Sequence, residues 1–438
     1  MKYPAIVTKK YLLTLSLPVF FSNLAVPLVG LVDIGLMGHL SSEKFLAATS
    51  IATATISMIF WSFGFLRMGT VGLISQALGK GDYKEIVYTT IRNLYIAAII
   101  GFAIFFLKTP LMSLIQNFFQ SSSETQLLIE KYVSIRLFSA PAELSLYVLV
   151  GLFLGLQKTT ISSFMIMFFS FLNIGLSYYF VVSLNLEIYG VALGTVISAY
   201  LTIFLFLIYA YFYVKQTFNI IPRFKSIFNK KKLLKLFNIN FDIFIRTILL
   251  TFSFLYFTFQ SSKLGEDYLA INSILLQFVA ISSFILDAYA FSTEGVVGFS
   301  LGRKIKKSFL LTVSNTIQLS VITGFIISFI YFLFYKNIIN SLTDLEYLRY
   351  LSYSFAVWVI IIPPVASYCY QYDGIFIGTS HTAEMRNSMI VSVAIFLITS
   401  TFLTKEFGNH GLWFSLFIFM ILRYLTLKMF FKNILSKF

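Results

Sequence analysis

The sequence predicts an all-α integral membrane protein whose 12 transmembrane helices form two parallel-repeat six-helix lobes. Three observations predict it. Of 438 residues, 58% are hydrophobic and only 12% charged, whereas soluble domains carry about a quarter charged residues, so a water-soluble enzyme is excluded. The charge-free gaps Lys158–Glu187, Glu187–Lys215 and Lys307–Lys336 enclose 28, 27 and 28 residues, and a spanning helix needs roughly 20. The two halves also match at one fixed offset of 223 residues.

Each helix is an apolar block between charged or turn-rich breaks. Helix 1, residues 11–38, follows Lys9-Lys10; it is too long for a signal-peptide core, carries Asp33 and lacks a small-residue cleavage site, so it is expected to be retained. Helices 2 to 6 span 45–78, 88–107, 127–157, 161–183 and 188–214, with breaks at Lys80–Asp82, Lys108, Lys158 and Glu187. A basic stretch, 215–237, separates them from helices 7 to 12 at 238–262, 267–300, 308–335, 345–378, 385–404 and 409–431.

Orientation follows from the loops. Of the lysines and arginines outside the spans, 22 fall on the side of the termini and 7 on the other, and positive charge marks the cytoplasmic side. Both termini are therefore expected in the cytoplasm, and the +15 net charge reflects membrane orientation, not nucleic-acid binding. Lys225, Lys230, Lys231, Lys232 and Lys235 form the densest basic run and can meet anionic lipid headgroups at about 1 kcal/mol per charge.

The repeat sets the domain organisation. Leu46-Ala47 matches Leu269-Ala270, Ser50-Ile51 matches Ser273-Ile274, Gly72 matches Gly295, Pro141 matches Pro364, and GLFLG at Gly151–Gly155 matches GIFIG at Gly374–Gly378. The expected lobes are 1–214 and 238–438, joined by the linker 215–237. A six-helix period keeps both repeats in the same orientation, an arrangement common in secondary transporters. A duplicated bundle could instead serve as a non-transporting scaffold or channel.

Ten charged residues remain inside spans: Asp33, Arg67, Arg136, Glu143, Asp242, Arg246, Asp287, Glu294, Asp373 and Arg423. A charge at bilayer depth costs about 2.5 kcal/mol or more, so each needs a cavity, a partner or a helix end. Asp33 falls in the outer half of helix 1, at a depth shared by Asn173 and Ser177 on helix 5 and Thr195 on helix 6. An acid among amide and hydroxyl groups points to proton or cation coupling. A second polar set comprises Arg246, Asp287, Glu294 and Asp373, in which Arg246 is expected to pair with Asp287 or Asp373. Asp242 and Glu294 lie nearer helix ends and are expected to be solvated, while Arg67, Arg136 and Arg423 are expected to snorkel.

Other chemistries find no residues. Cys369 is the only cysteine, and His39, His381 and His410 sit in separate loops without ligand spacing, so neither a disulfide nor a metal centre is expected. No phosphate-loop, nucleophile-elbow or dinucleotide motif occurs, which leaves an ion gradient as the energy source and no cofactor. The 51 Phe and 11 Met mostly face lipid in this reading, a minority offering an adaptable apolar surface to lipophilic cations.

Several stretches resemble a known family. LSLPVFFSNLAVPLVGLVDIGLMGHL at Leu15–Leu40, FLRMGTVGLISQALGKGD at Phe65–Asp82, SAPAELSLYVLVGLFLGLQKT at Ser139–Thr159, LDAYAFSTEG at Leu286–Gly295 and YDGIFIGTSHTAEMRNSM at Tyr372–Met389 are similar to multidrug and toxic compound extrusion (MATE) transporters, particularly their DinF-like branch. The resemblance implies a V-shaped pair of lobes that exports amphipathic, often cationic, compounds in exchange for H+ or Na+, with Asp33, Asn173 and Thr195 at the family's coupling positions. It further implies a monomer in the bacterial cytoplasmic (inner) membrane. Where relatives often carry a second carboxylate, this chain has Ser177; hard cations want several charged oxygens, so H+ is expected over Na+. A lipid-linked saccharide flippase of the same superfamily is the alternative cargo reading.

Overall fold

The computed structural model describes residues 3–4, 6–40, 43–106, 108–118, 122–220 and 227–438; Lys225 of the basic run and part of the 215–237 linker lie outside them. All regular structure among the described residues is helical. The first half comprises α1 (Lys9–Gly38), α2 (Glu43–Ser62), α3 (Phe65–Lys80), α4 (Tyr83–Phe106), α5 (Lys108–Phe118), α6 (Ser123–Arg136), α7 (Ala140–Gly155), α8 (Thr159–Tyr178) and α9 (Glu187–Phe218). The second comprises α10 (Lys230–Leu264), α11 (Glu266–Gly302), α12 (Lys306–Leu342), α13 (Glu346–Gly378) and α14 (Thr382–Leu435).

Eleven helical stretches among the described residues are long and apolar enough to cross a bilayer. The last, α14, has 54 residues, about 81 Å at 1.5 Å per residue and more than twice a hydrocarbon core. It is broken where Gly408 takes φ 56° and ψ −137°, a backbone open to glycine and not to L side chains. Counting its two parts separately gives twelve spans.

Two expected helices are interrupted. The 45–78 block splits at Phe63-Gly64 into α2 and α3, and the 127–157 block passes through a 3-10 turn, Leu137–Ser139, between α6 and α7. Pro141 explains the second break, since it sits in the first turn of α7, where its missing N–H costs nothing. The short helix α5 was not anticipated.

The chain forms two compact units, one of Phe21–Asn240 and the other of Phe241–Phe438 with the described residues up to Phe20. The start of α1 joins the second unit for a visible reason. Val7, Leu12 and Leu15 bury against Val296, Ser16 donates to Ser292 at 2.9 Å, and Asn315 donates to the Val7 carbonyl at 3.0 Å.

The duplication reappears as packing inside each unit. Gly101 lies against Pro141 as Gly324 lies against Pro364; Gly151 lies against Arg67 as Gly374 lies against Ala290; Gly155 meets Ile74 and Val71 as Gly378 meets Val297 and Glu294. Every member is 223 residues from its counterpart. At these glycines a Cβ would fall on the neighbouring helix at 2.9 Å or less, so the small residue sets how closely the helices approach, as in membrane bundles generally.

Candidate functional site

In the first unit α1 carries Asp33 into the interior, where only 4% of the residue is exposed. Its Oδ1 has no hydrogen-bond partner. The Ser177 hydroxyl of α8 borders the same carboxyl group, and the Arg136 guanidinium is near enough to act on it electrostatically. Asn173 and Ser177 stand one helical turn apart, both fully buried, and Ser177 Oγ donates to Asn173 Oδ1 at 3.3 Å. Asn173 Nδ2 is left without a partner. Close packing presses these groups together, since a Cβ at Gly194 of α9 would lie 2.7 Å from Ser177 Oγ. Thr195, the next residue, is buried, but its hydroxyl donates to Val191 O of its own helix at 3.1 Å.

Arg136 corrects an expectation. It does not snorkel: its side chain is 11% exposed, pairs with Glu143 at 2.5 Å and also donates to Ser139. Ser139 in turn donates to the same Glu143 oxygen at 2.7 Å. Tyr132, one turn before Arg136, is 1% exposed, receives a hydrogen bond from Thr53 at 3.2 Å and feels the charges of both Asp33 and Arg136. Sequence reasoning missed Thr53, Tyr132 and the Arg136–Glu143 pair. The available signal was the spacing of seven between Arg136 and Glu143, which puts both on one helical face.

The second unit treats its acid differently. Asp373 Oδ2 accepts from Arg246 and from Arg423 at 2.5 Å, so Asp373 is the partner of Arg246 and a second cation shares it. Arg423 is 1% exposed; it too is buried, not snorkelling, as is Arg67 at 8%. Removing either partner of such a buried pair is expensive even where the pair adds little net stability. Asp287, on α11, is half-buried and within electrostatic reach of Cys369 and Tyr370 beside this cluster. Glu294 lies about two turns beyond it on α11, 1% exposed, with Gly378 against its backbone carbonyl. Asp242 is 8% exposed, paired with Arg386 at 2.5 Å and bonded by Thr382 at 3.0 Å. The expectation that Asp242 and Glu294 are solvated therefore fails: packing against α13 and α14 covers them before the helix ends.

Among the described residues no three His, Cys, Asp or Glu side chains are grouped to hold a metal ion. The histidines stay apart: His410 Nδ1 accepts from Trp358 at 3.1 Å, His39 contacts Gly35 O at 2.7 Å, and burial holds the His381 imidazole below its ordinary pKa.

A family model described as MatE matches residues 18–179 and 243–403. The chain is 34% identical over 420 residues to DNA damage-inducible protein F of Escherichia coli, covering 95% of this chain and 91% of that protein. It is 24% identical over 289 residues to the multidrug export protein MepA of Staphylococcus aureus, covering 66% and 63%. A solved MOP superfamily transporter from Pyrococcus furiosus superposes with a TM-score of 0.88 at 16% identity, covering 98% of this chain and 96% of that one.

Proposed function

Because the chain belongs to the MatE family, and so is a membrane efflux transporter and not an enzyme, we propose that it is a proton-coupled antiporter exporting small amphipathic or cationic compounds. The observation that carries the reading is Asp33, a buried acid in no salt bridge among the described residues and with one oxygen unpartnered. An acid so placed is suited to gain and lose a proton as its surroundings hydrate and dehydrate.

In this reading Asp33 takes a proton from outside, its contact with Ser177 and the Ser177–Asn173 bond rearrange, the lobe reshapes to expel substrate, and the proton leaves on the inward-facing return. Proton over Na+ is supported by the donor set: one carboxylate, neutral Ser177 and Asn173, and the Arg136 cation nearby make a poor site for a hard cation. The lobes 1–214 and 238–438 with the linker 215–237, cytoplasmic termini, a bacterial cytoplasmic membrane, contact with membrane lipids and a monomeric state complete the proposal. The flippase alternative has less support, because Arg136, Arg246 and Arg423 are each committed to a carboxylate.

Purified protein in liposomes, with pH and Na+ gradients imposed separately, tests the coupling. Export of an ethidium-like dye is expected with the pH gradient and not with Na+ alone. An Asp33→Asn protein exporting at the wild-type rate under a pH gradient would remove the mechanism.

A further inference from the structure

Where α3 ends, α4 begins and α10 begins, the first unit has a cleft of about 100 Å³ bordered by Lys80, Asp82, Glu85, Arg92, Lys232 and Lys235. We propose that this cleft binds the phosphate group of an anionic phospholipid. Its floor is built: Arg92 and Thr89 are buried, Arg92 Nε donates to Ile227 O at 2.7 Å, and Arg92 Nη1 pairs with Glu85 at 2.9 Å. The other Glu85 oxygen holds Lys232 at 3.2 Å, while Asp82 Oδ1 accepts from the Glu85 backbone N–H at 3.1 Å. The carboxylates are thus committed. Lys80 and Lys235 are exposed and have no ion-pair partner among the described residues. Lys235 lies within reach of the Lys80 and Lys232 charges, each of which repels it more than Glu85 attracts it, and a bound anion relieves that repulsion.

The four cations and two acids around the cleft leave a surplus of two positive charges, which exceeds the single negative charge of a phospholipid phosphodiester and so favours a headgroup with net negative charge over a zwitterionic one. A lipid is favoured over a soluble phosphate by what flanks Lys235: Leu234 and Phe237 are 59% and 61% exposed, apolar surface suited to acyl chains beside a cationic cleft at a helix end.

Native mass spectrometry of the full-length protein, titrated with dioleoylphosphatidylglycerol and with dioleoylphosphatidylcholine, tests this. The Lys80→Gln/Lys235→Gln protein is expected to bind phosphatidylglycerol about 30-fold more weakly, each lysine being worth about fivefold. Phosphatidylcholine retention should not change, and a Lys336→Gln/Lys405→Gln protein, altered in the other unit, should bind as wild type. A Lys80→Arg/Lys235→Arg protein should keep its lipid, which separates lost charge from lost fold. Wild-type phosphatidylglycerol binding by the double Gln variant would overturn the proposal. So would full displacement of the lipid by millimolar inorganic phosphate, which would make the occupant a soluble anion.

Discussion

The two halves share three close glycine contacts position for position and differ in their buried charges. At the 223-residue offset Asp33 corresponds to Tyr256, Arg136 to Val359, Glu143 to Ala366, Arg246 to Asn23 and Asp373 to Val150. Close helix packing has survived duplication because any added Cβ strikes a backbone or a neighbouring side chain. Charge has not, because each half found its own way to accommodate a buried acid. The first keeps Asp33 beside the neutral Ser177 hydroxyl, within electrostatic reach of Arg136 but not paired with it, and with one oxygen unpartnered. The second clamps Asp373 between Arg246 and Arg423. Proton exchange fits the first arrangement, and a structural joint fits the second.

The sharpest way to break this contrast is to neutralise both acids. Asp33→Asn is expected to lower pH-driven efflux by about 100-fold or more, the scale on which an essential proton-transfer group acts, while leaving the melting temperature near wild type. Asp373→Asn should do the reverse to stability. It removes the carboxylate that both buried guanidinium groups bond, at about 3–5 kcal/mol, read as a large fall in melting temperature in detergent. Arg246→Met should cost less, about 1–3 kcal/mol, because Arg423 and Asp373 remain as a one-to-one pair. Equal melting temperatures for Asp33→Asn and Asp373→Asn would erase the distinction between the halves.

A smaller effect sharpens the shared part of the comparison. At Gly378 a Cβ would strike the Glu294 backbone carbonyl, whereas at the matched Gly155 it would meet chiefly the Ile74 side chain, 2.9 Å away. Alanine in a helix gains about 1 kcal/mol over glycine, and overpacking against rigid atoms costs about 1–3 kcal/mol. Because Ile74 Cβ and the Val71 carbonyl also lie within 3.1 Å of the Gly155 position, Gly155→Ala is expected mildly destabilising and Gly378→Ala more so, with melting temperatures in that order.

What was legible in the sequence divides along the same line. Bilayer thickness sets the charge-free gaps, so the spans from Glu187 to Lys215 and from Lys307 to Lys336 could be located, although α9 and α12 run on to Phe218 and Leu342; the break in α14 falls between the expected helices 385–404 and 409–431. The burial of Asp33 beside Ser177 followed from depth and helical spacing. Arg136 could not be read so directly: its partner Glu143 lies beyond a 3-10 turn, and an arginine near a helix end serves equally well exposed or paired. Arg423 and Asp242 were misjudged for a related reason, since their partners Asp373 and Arg386 come from other helices. The interruption at Leu137–Ser139 was also hidden, because whether a proline breaks a helix depends on what lies beside it.

That dependence gives the smallest prediction. Pro141 and Pro364 occupy the same repeat position, yet the first half breaks into α6 and α7 while α13 runs on through Pro363 and Pro364. A proline inside a helix removes the bond to the carbonyl four residues back, which for Pro364 belongs to Ile360. Ser328 of α12 donates its hydroxyl to that carbonyl at 2.5 Å, and the close approach of Gly324 to Pro363 and Pro364 brings α12 near enough to reach it. Ser328→Ala should therefore leave one half-buried carbonyl without a donor, at about 1 kcal/mol or less, as lipid-facing backbone relaxes in other membrane bundles. A melting-temperature loss smaller than that of Arg246→Met, with efflux retained, is the expected result. A loss as large as that of Asp373→Asn would mean that the continuity of α13, and with it the position of Asp373 between its two arginines, hangs on this hydroxyl.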